Sequence, residues 1–223
     1  MKTFLMGFSD GLGNRIECGK NNDDKVQVIF SGKNNRLVVH PEAKISTTTI
    51  QFDCDDGYCY IGKNSFIGFI RVGQECRVEI GDGVTCTGKC YISTAEMSYV
   101  KIGKDCMIAS SNEIRADDAH PIFDVKTEKR LNLPTGIDIG EHVWIAAKAT
   151  ILGGTSIGNG SVIGFGSIVK GVIPNNCIAA GSPAKVLKKD VAWERPHLNH
   201  SKPFYKPDSS SIKKSEYWKL TEA

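Results

Sequence analysis

Residues 139–174 read IGEHVW-IAAKAT-ILGGTS-IGNGSV-IGFGSI-VKGVIP, and this run of six-residue units indicates the fold. An aliphatic residue opens every unit, and in the first five units a small residue follows four places later. The opening residues are Ile139, Ile145, Ile151, Ile157, Ile163 and Val169, and the small ones are Val143, Ala149, Thr155, Ser161 and Ser167. Shorter stretches with the same period occur at 61–72 and 102–119.

A period of six matches neither the 3.6-residue helix nor the alternating faces of an ordinary strand. It matches a coil of three short strands, each turning a corner after one six-residue unit, with the coils stacked in parallel. The aliphatic and small residues fill a narrow interior, and each coil is buried only by its neighbours. The sequence therefore predicts an all-β protein built as a parallel β-helix.

The composition agrees with this prediction and excludes other classes. The chain has 223 residues, with 23 isoleucines and 15 valines against nine leucines, and 23 glycines. β-Branched residues favour strands over helices, and the content of hydrophobic residues excludes a disordered chain. Residues 149–169 carry no charge but include six glycines, so we expect no membrane segment. Without a recognisable leader, we expect a cytoplasmic protein.

The eight cysteines lack the paired C-x2-C spacing of a zinc ribbon. Cys76 and Cys106 fall at the small position of their units. We therefore expect buried, reduced thiols and no metal.

The repeat is interrupted once and is followed by a tail. We expect a β-helical domain at 1–187 with an irregular start at 1–35 and a projecting excursion at 121–138. A short, partly helical tail follows at 188–223. Residues 185–223 carry a net charge of +4, which favours an anionic partner. We expect no nucleic-acid partner.

Two residues beside the excursion have side chains suited to catalysis. His120 follows Asp117 and Asp118 where the repeat breaks, and an imidazole there is positioned to leave the core and act as a general base. Trp144 is expected to point outward, and its indole N–H can donate to a developing oxyanion. A structural role is the alternative interpretation for each.

The hexads, the closing GSPAKVL at 181–187 and the His120/Trp144 pair resemble the hexapeptide-repeat acyltransferases, which have a left-handed β-helix. The resemblance covers about residues 36–187. It is nearest to bacterial capsule and surface polysaccharide O-acetyltransferases, in particular those acting on sialic-acid-containing capsule. It implies direct transfer of acetyl from acetyl-CoA to a sugar hydroxyl in a homotrimer. It also implies that His120 is the base, that Trp144 is its catalytic partner and that Lys185 lies near the nucleotide.

Coil geometry extends the expected donor site. With three hexads in every coil, Ala146, Gly164 and Ser182 stack in one column and Ala147, Phe165 and Pro183 in another, which leaves room for a pantetheine arm. Lys170 and Lys188 form a further column that can meet phosphates. The full set expected to bind acetyl-CoA is Asp118, Ala119, Trp144, Ala146, Ala147, Gly164, Lys170, Pro183 and Lys185.

Three other functions remain open. An acetyltransferase acting on a small molecule, such as a free sugar, amino acid or antibiotic, has the same catalytic features. A non-catalytic β-helix has no need of the excursion. A trimeric metalloenzyme needs three imidazoles, and after His120 and His142 the third expected position is Ala147.

Overall fold

The computed structural model describes residues 1–19, 25–198 and 208–221, which form 25 short strands and two 3₁₀ turns. In chain order the strands are β1 (Lys2–Phe4), β2 (Phe8–Ser9), β3 (Arg15–Cys18), β4 (Gln27–Phe30), β5 (Arg36–Val39), β6 (Lys44–Ile45), β7 (Thr49–Phe52), β8 (Tyr58–Ile61), β9 (Ser65–Phe66), β10 (Gly68–Val72), β11 (Arg77–Ile80), β12 (Thr85–Cys86), β13 (Cys90–Thr94), β14 (Tyr99–Ile102), β15 (Met107–Ile108), β16 (Asn112–Arg115), β17 (Ile137–Ile139), β18 (Trp144–Ile145), β19 (Thr150–Leu152), β20 (Ser156–Ile157), β21 (Val162–Ile163), β22 (Ile168–Val169), β23 (Val172–Ile173), β24 (Ile178–Gly181) and β25 (Ala184–Lys188). The 3₁₀ turns cover Ser209–Ser211 and Glu216–Lys219. No helix in this described part of the chain is long and apolar enough to cross a bilayer.

The strands form the three sides of a prism. Sheet A has the order β1-β4-β7-β10-β13-β16-β19-β22, sheet B the order β2-β3-β5-β8-β11-β14-β17-β20-β23, and sheet C the order β25-β24-β21-β18-β15-β12-β9-β6. From β4 to β24, successive strands along the chain fall in different sheets, and strands one turn apart pair in parallel. The structure thus confirms the predicted left-handed parallel β-helix, with about seven turns.

The interior is filled by the residues that define the repeat. All the opening and small residues named above for 139–174 are at most 2% exposed. Hydroxyls at small positions are satisfied by backbone carbonyls: Ser161 Oγ donates to Pro174 O at 2.7 Å and Ser167 Oγ donates to Gly164 O at 2.7 Å. Because these hydrogen bonds offset the cost of burying a hydroxyl, serine substitutes for alanine at this position.

The coils differ in length, which corrects part of the expected stacking. Thr150 lies opposite Ile168, as three hexads per coil require. The coil that runs from Tyr91 to its partner Glu113 is longer, whereas the coil that runs from Val162 to its partner Ile178 is shorter. The columns of stacked residues that were predicted by counting three six-residue units per coil are therefore wrong beyond about residue 169.

The longer N-terminal coils hold larger interior side chains than the C-terminal ones. Phe30 and Phe52 are buried there and stack with ring centroids 5.1 Å apart. The interior side chains thus become smaller as the coils shorten.

The β-helix begins inside the stretch predicted to be irregular. β3 pairs in parallel with β5, and β4 pairs in parallel with β7, so the solenoid already includes residues before 36. β1 and β2 instead pair antiparallel with β4 and β3. These antiparallel strands lie at the open end of sheets A and B, where the first coil has no preceding neighbour.

The excursion replaces a single corner between sheets A and B. One turn earlier, residues 95–98 connect β13 to β14, whereas residues 116–136 connect β16 to β17. The predicted end at 138 is wrong, because Ile137 and Asp138 already belong to β17 and lie opposite Val100 and Lys101. Strand β25 ends at Lys188, next to the predicted tail boundary, and the division into two domains stays a prediction. Residues 199–207 and 222–223 of the tail lie outside the described residues.

All eight cysteines are free thiols, and six are buried, as predicted. Cys18 is half-buried and Cys54 is exposed, so burial was wrong for Cys54. Burial raises the pKa of the Cys86 and Cys106 thiols to about 12, which keeps both protonated at neutral pH.

Replacing an interior aliphatic residue should cost much more stability than replacing an outward one on the next strand. Val169 is fully buried, whereas Val172 is 76% exposed. We expect Val169→Ala to lower the free energy of unfolding by about 2 kcal/mol, since two buried carbons and a cavity are involved. Val172→Ala is the matched control, and urea denaturation measures both. Equal losses would contradict the assignment of Val169 to the interior.

Candidate active site

His120 lies on the first turn of the excursion and is exposed. The turn is held by Asp117, which is 8% exposed. Its Oδ2 accepts a hydrogen bond from Ser93 Oγ at 2.8 Å, and its Oδ1 accepts one from the backbone N–H of Ala119 at 3.1 Å. Ala119 has a positive φ of 61°, a strained conformation for alanine. Asp117 therefore stabilises the bend that directs the chain out of the core just before His120.

The returning arm of the excursion locks this turn through Asn132. Its Nδ2 donates to the backbone carbonyl of His120 at 2.8 Å and to Asp118 Oδ2 at 3.0 Å, while its Oδ1 accepts from the N–H of Ile122 at 2.7 Å. Sequence reasoning missed Asn132, since nothing in the pattern shows that it folds back onto residues 118–122. Its amide fixes the backbone on both sides of His120.

The excursion itself is tied to the β-helix. Arg130 donates two hydrogen bonds to the Glu96 carboxylate, at 2.6 and 3.2 Å. Tyr99 OH donates to Asp138 Oδ2 at 2.6 Å. Gly136 passes against the Tyr99 ring, where a Cβ would come within 2.1 Å of a ring carbon. These contacts hold the returning arm of the excursion, and the strand β17 that follows it, in place beside the corner.

A cavity of about 290 Å³ lies under the excursion, with Asp117, Asp118, Asn132 and Lys170 in its wall. Lys170 therefore belongs to the His120 side of the molecule. The expected column of Lys170 with Lys188 is wrong, because β22 is the last strand of sheet A and Lys188 lies opposite Ile178 in sheet C.

Trp144 lies elsewhere, on the outer face of sheet C. It starts β18, opposite Met107 and Val162, and is 36% exposed. Its ring packs tilted against Trp193 of the tail, with centroids 6.0 Å apart and planes at 48°. The predicted outward orientation is confirmed.

The small-residue column next to Trp144 differs at its end from the expected one. Ala146 and Gly164 follow paired residues of β18 and β21, and Gly164 then adjoins Ala180, not Ser182. A Cβ on Gly164 would lie 2.7 Å from the Cβ of Ala180, so only glycine fits there. The cause is the shortened final coil between β21 and β24.

The second expected column also stops early. Ala147 O accepts from the N–H of Gly166 at 3.0 Å, which places the 165–166 turn beside Ala147. Pro183 lies beyond β24, in the turn between the paired residues Gly181 and Ala184, so it does not continue this column. Lys185 is exposed on β25, opposite Ala180, which brings it next to the column of Ala146 and Gly164.

The predicted site residues thus form two groups in one chain. The excursion group contains His120, Asp118, Ala119 and Lys170, and the sheet C group contains Trp144, Ala146, Ala147, Gly164, Pro183 and Lys185. Among the described residues, no hydrogen bond, ion pair or ring contact joins His120 to Trp144. The excursion group thus lies at the corner between sheets A and B, whereas the sheet C group lies on another side of the prism.

His142, considered above as a metal ligand, is buried in the packing of the tail. Its ring is sandwiched between Trp193 at 4.1 Å and Tyr217 at 4.6 Å, both nearly parallel to it. Nδ1 lies 2.6 Å from Asp105 Oδ2, and Nε2 lies 3.0 Å from the carbonyl of Trp193. No group of three metal-binding side chains occurs in the described ranges.

Polar contacts complete this tail clamp, which consists of Asp105, His142, Trp193, Arg195 and Tyr217. Arg195 Nε donates to Asp105 Oδ1 at 2.7 Å, and Trp193 Nε1 donates to the carbonyl of His142 at 2.9 Å. Tyr217 OH donates to Glu141 Oε2 at 3.0 Å, and burial together with this hydrogen bond raises the pKa of Tyr217. Trp193, Arg195 and Tyr217 of the tail are therefore packed on the β-helix, and Trp193 supports Trp144 from one side.

Comparison with known proteins gives consistent matches. A family model described as bacterial transferase hexapeptide (six repeats) matches residues 136–171, and one described as hexapeptide repeat of succinyl-transferase matches 59–86. A polysialic acid O-acetyltransferase of Neisseria meningitidis is 31% identical, covering 83% of this chain and 87% of that protein. One from Escherichia coli O1:K1 / APEC is 40% identical, covering 62% of this chain and 45% of that protein. The crystal structure of a polySia-specific acetyltransferase superposes with a TM-score of 0.78 at 36% identity, covering 85% of this chain and 82% of that one.

Removing the central ring of the tail clamp should release the tail. Trp193 is 8% exposed and stacks on His142, whereas Trp218 is 40% exposed. We expect Trp193→Ala to speed trypsin cleavage at Lys213 and Lys214 by about tenfold or more, because local opening becomes easier. Trp218→Ala is the control with a smaller expected effect. Unchanged cleavage of Trp193→Ala would contradict the clamp.

Proposed function

Because this chain belongs to the hexapeptide-repeat acetyltransferases, we propose that it transfers acetyl from acetyl-CoA to a hydroxyl of a sialic-acid-containing capsular or surface polysaccharide. One arrangement carries the proposal: an exposed imidazole, His120, is held at the root of an excursion by Asp117 and Asn132. The acceptor class is inferred from the relatives, which are named for polysialic acid. The cytoplasm is the proposed compartment, since it keeps thiols reduced and all eight cysteines are free.

In the proposed reaction the neutral imidazole of His120 takes the proton of the acceptor hydroxyl as the oxygen attacks the thioester carbonyl. The new C–O bond forms while the carbonyl electron pair moves onto oxygen, and the Trp144 N–H donates a hydrogen bond to that oxyanion. Collapse of the tetrahedral species breaks the C–S bond. The leaving thiolate then takes the proton from the imidazolium, which returns His120 to its starting state.

Two subunits are proposed to supply each site. The excursion group of one chain would face the sheet C group of the next in a homotrimer, which is the closed ring that a repeated head-to-tail contact forms. Support comes from the separation of His120 from Trp144 within one chain and from the 36% exposure of Trp144. Trp144 would then contact the thioester from a neighbouring subunit.

The donor is proposed to lie along the sheet C group. Ala146, Gly164 and Ala180 leave the backbone accessible to a thin pantetheine arm, and Lys185 on β25 adjoins the same column. Lys170, from the excursion group, would reach the donor only across the subunit boundary. Asp118 and Ala119, beside His120, would line the acetyl end of the same arm.

Removing the base should remove most of the turnover. We expect His120→Ala to lower kcat by about 10²- to 10⁴-fold, the usual contribution of general-base catalysis. Thiol release from acetyl-CoA measures the rate, with free sugars and capsular polymers as alternative acceptors. His197→Ala, an exposed histidine of the tail, is the control. Near-full turnover of His120→Ala would contradict the mechanism, and activity only on monosaccharides would contradict the polymeric acceptor.

Mixing two inactive variants tests the shared site. His120→Ala and Trp144→Ala chains, unfolded and refolded together, should recover about a quarter of wild-type sites, because random trimers pair an intact His120 with an intact Trp144 at that frequency. Each variant refolded alone is the control. No recovery from mixed trimers of verified composition would place both residues in one subunit.

A further inference from the structure

The outer face of sheet A carries an aromatic and cationic surface that the proposed chemistry does not use. Phe69 of β10 and Tyr91 of β13 lie directly opposite each other, and their rings stack with centroids 5.5 Å apart and planes 11° apart. On the next strand, the guanidinium carbon of Arg115 lies 4.7 Å from the centroid of the Tyr91 ring. We call Phe69, Arg71, Tyr91 and Arg115 the sheet A platform.

The two arginines of the platform keep donors available to a ligand. Arg115 Nε donates to Glu113 Oε2 at 2.7 Å, and Arg71 Nε pairs with Asp53. The arginine side chains remain 40% and 39% exposed, respectively. Because a guanidinium has five N–H donors in a fixed fork, donors remain on both arginines for a carboxylate. The carboxylates of Glu113 and Asp53 thus orient the two guanidinium groups without covering all of their N–H donors.

A groove of about 490 Å³ adjoins the platform. Phe69 and Tyr91 form part of its wall, together with Lys89, Asn112 and other polar side chains. The acidic residue in this wall, Glu113, is already paired with Arg115. Aromatic rings and a lysine ammonium group in one groove match the apolar face and the carboxylates of an acidic sugar.

The platform is connected to the candidate catalytic residue along one strand. Ser93 lies two residues after Tyr91 on the same face of β13, about 7 Å along the strand at the usual rise per residue. Ser93 Oγ donates to Asp117, which holds the turn before His120. Strand β13 thus runs from Tyr91 towards the corner at which the excursion and His120 lie, so an extended ligand along the strand direction would approach His120.

We propose that the sheet A platform is a binding subsite for an anionic polysaccharide chain, distant from the reacting hydroxyl. Sugar rings of the acceptor pack against the solvent-facing edges of the stacked Phe69 and Tyr91 rings, and its carboxylates pair with Arg71, Arg115 and Lys89. This inference rests on the proposed function, since the polymer held there is the acceptor. The subsite favours polymers over short acceptors, because only a long chain spans both the platform and His120.

Sheet B offers a matched control. Tyr58 of β8 has the guanidinium carbon of Arg77 4.7 Å from its ring centroid, the same distance as in the Tyr91–Arg115 pair. Arg77 also pairs with a neighbouring carboxylate, Glu79. Tyr58 and Arg77 are thus chemically equivalent to Tyr91 and Arg115 but lie on another side of the prism, without the link through Ser93.

The test compares long polysialic acid with a sialic acid dimer as acceptors. We expect Tyr91→Ala and Arg115→Gln each to raise KM for the long polymer about three- to tenfold, the range of one aromatic contact. Their kcat, KM for acetyl-CoA and KM for the dimer should stay at wild-type values. Tyr91→Phe should retain tight polymer binding, and Tyr58→Ala should behave as wild type. Circular dichroism and thermal unfolding check that each variant is folded.

Two outcomes would overturn the subsite. One is a folded Tyr91→Ala enzyme with unchanged KM for the polymer, and the other is an equal rise in KM for the dimer. Direct titration of polysialic acid into the protein without acetyl-CoA separates this inference from the proposed function. Polymer binding that depends on Tyr91 in an enzyme without acetyl transfer would reject the function and retain the subsite. Acetyl transfer to the polymer that is insensitive to replacement of Tyr91 would retain the proposed function and reject the subsite.

Discussion

The narrow interior of the prism is the constraint on which the rest of the structure depends. Parallel strands of neighbouring coils lie about 4.8 Å apart, so each interior side chain has fixed neighbours above and below it. Ile114, for example, lies between Ile92 and Ile151, and all three are fully buried. A column of this kind accepts one aliphatic residue per coil and has no room for an extra one. Insertions therefore leave the prism at its corners.

This constraint explains why the candidate catalytic residues lie where the repeat is interrupted. The flat sides repeat the same backbone at every turn, whereas the excursion departs from it. The excursion adds the cavity lined by Asp118 and Asn132, because its returning arm is held to Glu96 by Arg130 and to the turn at His120 by Asn132. The tail creates another surface where it packs on His142 and beside Trp144. Both features depend on the regular prism, which supplies rigid strands to pack against.

The regular register also arranges side chains over long distances on the outside. Because outward residues of successive coils lie side by side, Phe69, Tyr91 and the arginines of neighbouring strands form a continuous surface although they are far apart in sequence. A surface of this kind suits an extended ligand better than a compact one. It fits a protein whose relatives are named for a polymeric substrate.

The six-residue period by itself determined the fold and the interior residues of 139–174, because a strictly local repeat encodes the contacts between neighbouring coils. Together with GSPAKVL at 181–187 and the His120/Trp144 pair, it indicated the family. It also located His120, since a break in the repeat is visible in the sequence. The tertiary structure decided the features that depend on coil length and on distant contacts. The shortened coil before Ile178 moved Ser182 and Lys188 out of their expected columns, and a side chain from the returning arm, Asn132, came to hold the turn at His120. These could not be predicted, because corners gain or lose residues without changing the aliphatic pattern, and because contacts of the excursion and tail join segments that share no period.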